Sequence, residues 1–283
     1  MAPGAAGPGI VRDGPRRAAV LGTPVGHSRS PDLHRAAYAA LGLDGWTYDA
    51  LETTAEELPS RVAAAGPEWA GFSVTMPGKI AALEFADERT ARAELIGSAN
   101  TLVRLPDGRW RADCTDVDGM TGALAEARVP ADASSAVIVG AGGTALPTLA
   151  ALSEWGVGKV TIVARSAARA AGAVDLAGRL GVECRVVGFE DGPPLREAVD
   201  RADVVVSTVP AGATAPIVSS LRGAERLVDV IYDPWPTPLA SAIRDAGGVV
   251  VGGLTMLLNQ AYSQVEQFTG LPAPRAAMAA ALR

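Results

Sequence analysis

Cysteine is almost absent from this 283-residue chain: Cys114 and Cys184 are its two, 70 positions apart and in no CxxC pair. That excludes a disulfide framework and a cysteine-built zinc site, and it points to a reducing, cytoplasmic setting. Histidine is equally scarce, and neither His27 nor His34 has a second ligand at metal spacing, so no metal is expected. Aromatic residues make up 5%, and Trp46, Trp69, Trp110, Trp155 and Trp235 are scattered as packing residues would be. No apolar run reaches the roughly 18–20 residues that a membrane helix needs. Residues 1–17 (MAPGAAGPGIVRDGPRR) lack the apolar core of a signal peptide and read as a disordered tail or an over-long start. Basic residues number 25 against 31 acidic ones, a net charge of −6, which argues against non-specific nucleic-acid binding. Lysine is the rarest of the charged types, with Lys79 and Lys159 alone among the 25 basic positions. A drift toward Ala, Gly, Arg and Pro explains the arginines. A lysine that survives in that background marks a place where a compact ammonium is wanted.

What is present alternates. Ala18–Gly22 is a short apolar run closed by Gly-Thr-Pro, and Ser30-Pro31 reads as an N-cap with proline at the first helical position. Strands are predicted at Trp46–Leu51 and Gly71–Thr75, with a helix between them over Glu56–Ala65. Leu102–Arg104 and Trp110–Asp113 flank Pro106-Asp107-Gly108 as a hairpin. From Ser135 on, fully apolar runs (Ala136–Val139, Lys159–Ala164, Asp203–Thr208, Arg226–Val230, Gly248–Val251) are separated by helical or loop segments. That is the pattern of a parallel sheet covered on both faces. The expected fold is α/β in two domains: an α/β substrate domain over 18–116 and 253–283, and a doubly wound Rossmann-like cofactor domain over 117–252.

The segment Val139–Ala145 matches G-x-G-x-x-A between a strand and a helix. Glycines there let the backbone approach a pyrophosphate, which free N–H groups at the helix start can bind. An NAD site places Asp or Glu about 20 residues on. Ala164-Arg165-Ser166 stands there instead, with Arg169 a turn further, and guanidinium groups suit a 2′-phosphate, favouring NADP. The competing account is that Arg165 is a solvated residue in an arginine-rich chain.

Four segments of the first domain concentrate small polar groups: Gly22–Pro31 (GTPVGHSRSP), Val74–Lys79 (VTMPGK), Ile96–Thr101 (IGSANT) and Thr115–Gly119 (TDVDG). Hydroxyls, an amide, one ammonium and one carboxylate make a set for holding a polyhydroxylated small molecule. With the glycine loop, the Ala-Arg-Ser turn and the C-terminal Gln260-Ala261, these motifs run in order, and over about residues 18–270 the chain resembles the shikimate dehydrogenase family.

The resemblance implies NADPH-dependent, reversible reduction of 3-dehydroshikimate to shikimate, in the route to aromatic amino acids. It implies Ser28 and Ser30 on the substrate carboxylate, and Thr75, Asn100 and Gln260 on hydroxyls and the carboxylate end. Lys79 and Asp116 are the implied catalytic pair, with Asp116 also touching the reacting hydroxyl. Gly140, Gly142, Gly143, Thr144 and Ala145 fall on the cofactor phosphates, Arg165 and Arg169 on the 2′-phosphate, and Tyr232 and Gly253 near nicotinamide and substrate. Such an enzyme is a monomer or homodimer that works on a small molecule without nucleic acid or membrane. The chain departs from the family at Ser73 and Cys114, where asparagine is usual, at the Ala-Arg-Ser turn, usually Asn-Arg-Thr, and at His34-Arg35. Ser73 shortens one polar contact. The alternatives are a quinate or aminoshikimate dehydrogenase of the same fold, or a catalytically silent cofactor-sensing regulator. The intact Lys79 and Asp116 speak against the last.

Overall fold

The computed structural model describes residues 14–283, so most of the expected tail lies outside the described residues, while Arg17 already opens the first strand. The chain divides into two compact units, one running to Thr115 and resuming at Ala261, the other spanning Asp116–Gln260. The limits expected at 116/117 and 252/253 thus fall at 115/116 and 260/261, and one helix is shared between the units.

Unit one contains β1 (Arg17–Gly22), α1 (Ser30–Ala40), β2 (Thr47–Glu52), α2 (Leu58–Ala63), β3 (Trp69–Val74), α3 (Lys79–Phe85), β4 (Glu88–Arg89), α4 (Ala91–Ile96), β5 (Thr101–Arg104) and β6 (Trp110–Asp113). Its mixed sheet has the order β2-β1-β3-β5-β6-β4, parallel from β2 to β3 and antiparallel across β5. The inner strands β1 and β3 are buried almost throughout, which is why they read as continuous apolar runs. The hairpin between β5 and β6 turns through Gly108 at φ +89°, a left-handed conformation that glycine adopts without strain.

Unit two contains α5 (Asp116–Glu126), β7 (Ser135–Val139), α6 (Ala145–Trp155), β8 (Lys159–Ala164), α7 (Ala167–Leu180), β9 (Glu183–Gly188), α8 (Pro193–Asp200) and β10 (Val204–Ser207). After a 3₁₀ segment (Ala211–Ile217) come α9 (Val218–Leu221), β11 (Arg226–Asp229), α10 (Pro238–Asp245) and β12 (Val249–Val251). α11 (Gly253–Thr269) then crosses the limit at Gln260, and α12 (Arg275–Ala280) ends the chain within unit one. The sheet β12-β11-β10-β7-β8-β9 is parallel throughout, as expected. The strand order reverses between β7 and β10, and that switch point is where doubly wound sheets bind ligands. Buried Val137, Val139, Val163, Val205 and Leu227 form its core with the flanking helices.

Two features differ from expectation. Ser30 is not the N-cap of α1; Arg29 holds that position with no side-chain cap, and the Ser28 hydroxyl accepts from the Ser30 N–H at 3.3 Å. The helices α3, α4 and α5 form in segments for which no element is predicted above. α5 holds Gly119 and Gly122, poor helix formers that are needed because α11 passes close by. A Cβ on Gly119 would lie 2.7 Å from the Met256 carbonyl oxygen, and one on Gly122 would strike the Asn259 side chain at 2.1 Å.

Candidate active site

In unit one the predicted residues sit on loops and helix starts beside the ends of β1, β3 and β5. Gly22 ends β1 because a Cβ there would lie 2.3 Å from the Thr75 methyl and 2.8 Å from the Met76 carbonyl. The loop that follows is clamped by Thr23 N–H on the Met76 oxygen, 3.1 Å, and by Val25 N–H on Glu52 Oε1, 2.9 Å. That bond from Val25, with others from Thr23 and Gly26, holds the Glu52 carboxyl below its ordinary pKa. Ser28 is half-buried at the loop's end and Ser30 is buried at the start of α1. Thr75 directly follows β3, its N–H on the Leu21 carbonyl at 2.8 Å. Lys79 is the first residue of α3, and its carbonyl accepts from Ala99 N–H at 2.9 Å, tying it to the loop that carries Asn100. Met76 and Ile80, on either side of Lys79, are the most exposed large apolar residues described, at 70% and 61%.

Asn100 is buried and its side chain has a fixed direction. Its Oδ1 accepts from Thr115 N–H at 2.7 Å and from the Thr101 hydroxyl at 3.0 Å. A main-chain N–H can only donate, so the amide oxygen faces Thr115 and the amide nitrogen turns the other way. Behind it lies a polar lattice that sequence reasoning missed. Tyr48 OH donates to Ser73 Oγ (2.6 Å), Ser73 donates to Gln264 Oε1 (2.8 Å), and Gln264 Nε2 donates to the Asn100 carbonyl (3.2 Å) and to Thr101 Oγ1 (3.0 Å). Ser73, expected to leave a polar contact short, has its hydroxyl engaged on both sides. His34 stacks on Tyr48 at 4.0 Å and faces Gln264 Oε1 through Nε2 at 3.4 Å. Burial drives its pKa down to about 3, so it is neutral.

A second brace holds the strand that leads to Thr115. Asp113 accepts from Arg92 at 2.7 and 2.6 Å, from Thr90 at 2.7 Å and from Gln267 at 2.7 Å, while the Asp113 carbonyl accepts from Asn100 N–H. Burial raises the carboxyl pKa, but the bonds from Arg92, Thr90 and Gln267 outweigh it and leave it at about 2. Cys114, next in line, is buried, in keeping with a small packing residue. The sequence signal that was available is the run Gln260, Gln264, Gln267 at helical spacing, on a helix that also buries Ala261, Val265 and Phe268.

In unit two, Asp116 is the buried first residue of α5, and Gln260 lies on α11 beside Gly119, one turn along that helix. Tyr232 is half-buried in the loop after β11. That loop is anchored by buried Asp229, which accepts from Ile231 N–H at 3.2 Å and from the Thr237 hydroxyl at 2.7 Å and was also missed. Burial pushes the Asp229 carboxyl above its ordinary value, against the pull of those bonds. Gly253 starts α11 with its N–H on the Ile231 carbonyl, and a Cβ would lie 2.1 Å from the Val230 oxygen, so close backbone approach accounts for the glycine.

The glycine loop follows β7 at the switch point. Gly140 takes φ +107°, and a Cβ there would meet Thr208 Oγ1 and Val209 Cγ1 at 2.7 Å. Gly142 and Gly143 are different: nothing lies within 4 Å of where their Cβ atoms would be. Thr144 caps α6 by position, and Ala145 is its buried first residue. A cavity of about 250 Å³ opens beside the loop, lined among others by Gly140, Gly142, Arg165, Arg169, Phe189 and Thr208. Both arginines are exposed, and no carboxylate lines the cavity. Bare glycines before a helix start, two guanidinium groups and no acid fit a phosphorylated dinucleotide ribose better than one with free hydroxyls. Among the described residues no cluster of His, Cys, Asp or Glu could hold a metal ion, and no helix is long and apolar enough to cross a membrane.

Family models match along the chain: "Shikimate dehydrogenase substrate binding domain" over residues 20–102, "Shikimate / quinate 5-dehydrogenase" over 123–227 and "Shikimate 5'-dehydrogenase C-terminal domain" over 253–283. Shikimate dehydrogenase (NADP(+)) of Methanothermobacter thermautotrophicus is 36% identical over 275 residues, covering 93% of this chain and 94% of the relative. The crystal structure of Mycobacterium tuberculosis shikimate dehydrogenase matches at 57% identity and TM-score 0.89, over 95% of this chain and 99% of that one. The Thermus thermophilus shikimate 5-dehydrogenase in complex with NADP(H) and shikimate matches at 32% identity and TM-score 0.81, over 94% and 98%. The chain therefore belongs to the shikimate dehydrogenase family.

Proposed function

We propose that this protein catalyses the reversible, NADP(H)-dependent interconversion of 3-dehydroshikimate and shikimate. The observation that carries the cofactor half is the cavity at the ends of β7, β8 and β9, where Arg165 and Arg169 stand in place of a ribose-binding acid. Gly142, Gly143, Thr144 and Ala145 would offer N–H groups to the pyrophosphate, and the arginines would take the 2′-phosphate. The bound cofactor would supply or receive the hydride.

The substrate half rests on residues of unit one, with Asp116, Tyr232 and Gln260 from unit two. Ser28 and Ser30 are assigned to the carboxylate, and Thr75 and Gln260 to hydroxyls and the carboxylate end. Asn100, with its amide nitrogen turned from Thr115, offers donors to a substrate oxygen. As hydride reaches the carbonyl carbon, the oxygen must gain a proton, and Lys79 is assigned to give it. Asp116 is assigned to the same substrate hydroxyl. In oxidation the lysine takes the proton back. The NADP assignment, the reducing chemistry and two cysteines outside any disulfide suit a cytoplasmic enzyme.

The test is steady-state oxidation of shikimate and of quinate, each with NADP and with NAD. The highest kcat/KM is expected for shikimate with NADP. A higher value with NAD removes the role of the arginines, a higher value for quinate changes the substrate, and no turnover with any pair leaves a cofactor-binding regulator.

A further inference from the structure

Gln264 uses its whole hydrogen-bonding capacity inside unit one. The residue is 3% exposed. Its nitrogen faces the Asn100 carbonyl, which can only accept, so the amide orientation is fixed without ambiguity. Its oxygen must then accept, which makes Ser73 a donor to it, and Ser73 in turn takes the Tyr48 hydrogen. The same oxygen assigns the neutral His34 tautomer, since the ring nitrogen facing it must carry the hydrogen. On the other side Thr101 Oγ1 accepts from Gln264, and its own hydrogen is left for Asn100 Oδ1. One amide thus sets the hydrogens of Tyr48 and Ser73 and leaves the Thr101 hydrogen for the Asn100 side, while the Asn100 amide itself is set by Thr115 N–H.

We propose that Gln264 is a positioning residue for substrate binding: it holds the Asn100 backbone in place and, through Thr101, braces the Asn100 amide that Thr115 N–H orients. The Asn100 carbonyl receives two donors, Gln264 Nε2 at 3.2 Å and Val74 N–H at 2.7 Å. Thr75 follows Val74, so the two unit-one residues assigned to substrate hydroxyls are fixed through one point. Without the Gln264 amide, the Asn100 carbonyl keeps one donor, Val74 N–H, and Thr101 loses the donor that sets its hydroxyl, so the segment that carries Asn100 loosens although Thr115 N–H still orients the Asn100 amide. Gln264 itself is assigned no contact with substrate. The inference rests on the reading that Asn100 binds substrate.

Gln264→Met keeps the volume and removes the amide. The expected result is a rise of about tenfold in KM for shikimate, the loss of one to two buried hydrogen bonds, with kcat and KM for NADP within about twofold. A purely structural role would lower the melting temperature and move both KM values together. Ser73→Ala should raise KM for shikimate less, and should add little in the Gln264→Met background, because both act through one relay. A folded Gln264→Met protein with unchanged KM for shikimate overturns the inference, as does an equal rise in both KM values. If Gln264→Met does not fold, Ser73→Ala decides: unchanged KM for shikimate overturns, and a severalfold rise confined to shikimate supports. The parent is assayed alongside, so that failure of the functional reading shows as an inactive parent, distinct from an active parent matched by its variants.

Discussion

The glycine loop of unit two and the polar lattice of unit one place hydrogen-bonding groups by opposite means. After β7 the groups are main-chain N–H, set by a turn in which Gly140 takes a left-handed φ and Gly142 and Gly143 carry no side chain to block approach. Around Asn100 they are side-chain amides and hydroxyls, held by other side chains, with Gln264 191 positions from Ser73 and Gln267 154 positions from Asp113. A backbone site is broken by adding atoms. A side-chain lattice is broken by removing one partner, because the others are left buried and unsatisfied.

Lys79→Ala separates the two regions most sharply. It is expected to lower kcat by about two to four orders of magnitude, as for loss of a general acid. NADPH affinity, measured by fluorescence titration, should stay within a few-fold, since the assigned cofactor groups belong to unit two. Near-parental turnover in this variant would remove the lysine from the chemistry.

Removing a partner comes next. Arg92→Ala leaves the Asp113 carboxylate buried without its cation, and loss of one member of such a pair costs roughly 3–5 kcal/mol. Urea unfolding measures it, and a loss below about 1 kcal/mol would mean that Thr90 and Gln267 suffice to hold the carboxylate. Adding atoms follows. Gly140→Ala combines left-handed strain with a contact at 2.7 Å and should cost about 2–4 kcal/mol. Gly142→Ala meets open space and should change stability by less than about 0.5 kcal/mol while weakening NADP binding. Equal effects at the two glycines would erase the distinction between a structural and a ligand-facing position.

This contrast also explains what could be read from the sequence. The parallel sheet, the glycine loop and Arg165 were legible because they are local: a fixed spacing, an apolar run, one residue after a strand. The motifs with Lys79, Asn100 and Asp116 were legible as motifs, but the helices α3, α4 and α5 were not. α3 and α4 are too short to show a helical period, and the two glycines of α5 make sense only once α11 is packed against it. Asp113 and Asp229 were invisible for a related reason, and Gln264 showed only as one of three glutamines at helical spacing. Each acts through partners that only the tertiary fold brings near, and in sequence a buried glutamine or aspartate resembles any solvated one. Ser30 shows the reverse error, since a local capping pattern pointed to it while Arg29 holds the cap position without a side-chain bond and the Ser28 hydroxyl accepts from the Ser30 N–H.

The effect that depends on pH, and the one that tests the side-chain lattice alone, lies at His34. Its folded pKa of about 3 lies below the unfolded value of 6.5, so the folded state resists protonation. Stability from this residue is fully present above 6.5 and falls as pH drops toward 3. Within that window the unfolded chain holds one more proton at this site, a slope of about 1.4 kcal/mol per pH unit. Asp113 adds a second, lower window: its contribution is present above the ordinary carboxylate value of 3.8 and is lost as pH falls toward 2. His34→Phe keeps an aromatic ring against Tyr48 and removes the titration. Unfolding free energies measured between pH 6 and pH 4 should then lose about one proton's worth of slope relative to the parent. Matching slopes would mean that native His34 accepts a proton, and that the lattice yields to charge as readily as an exposed site.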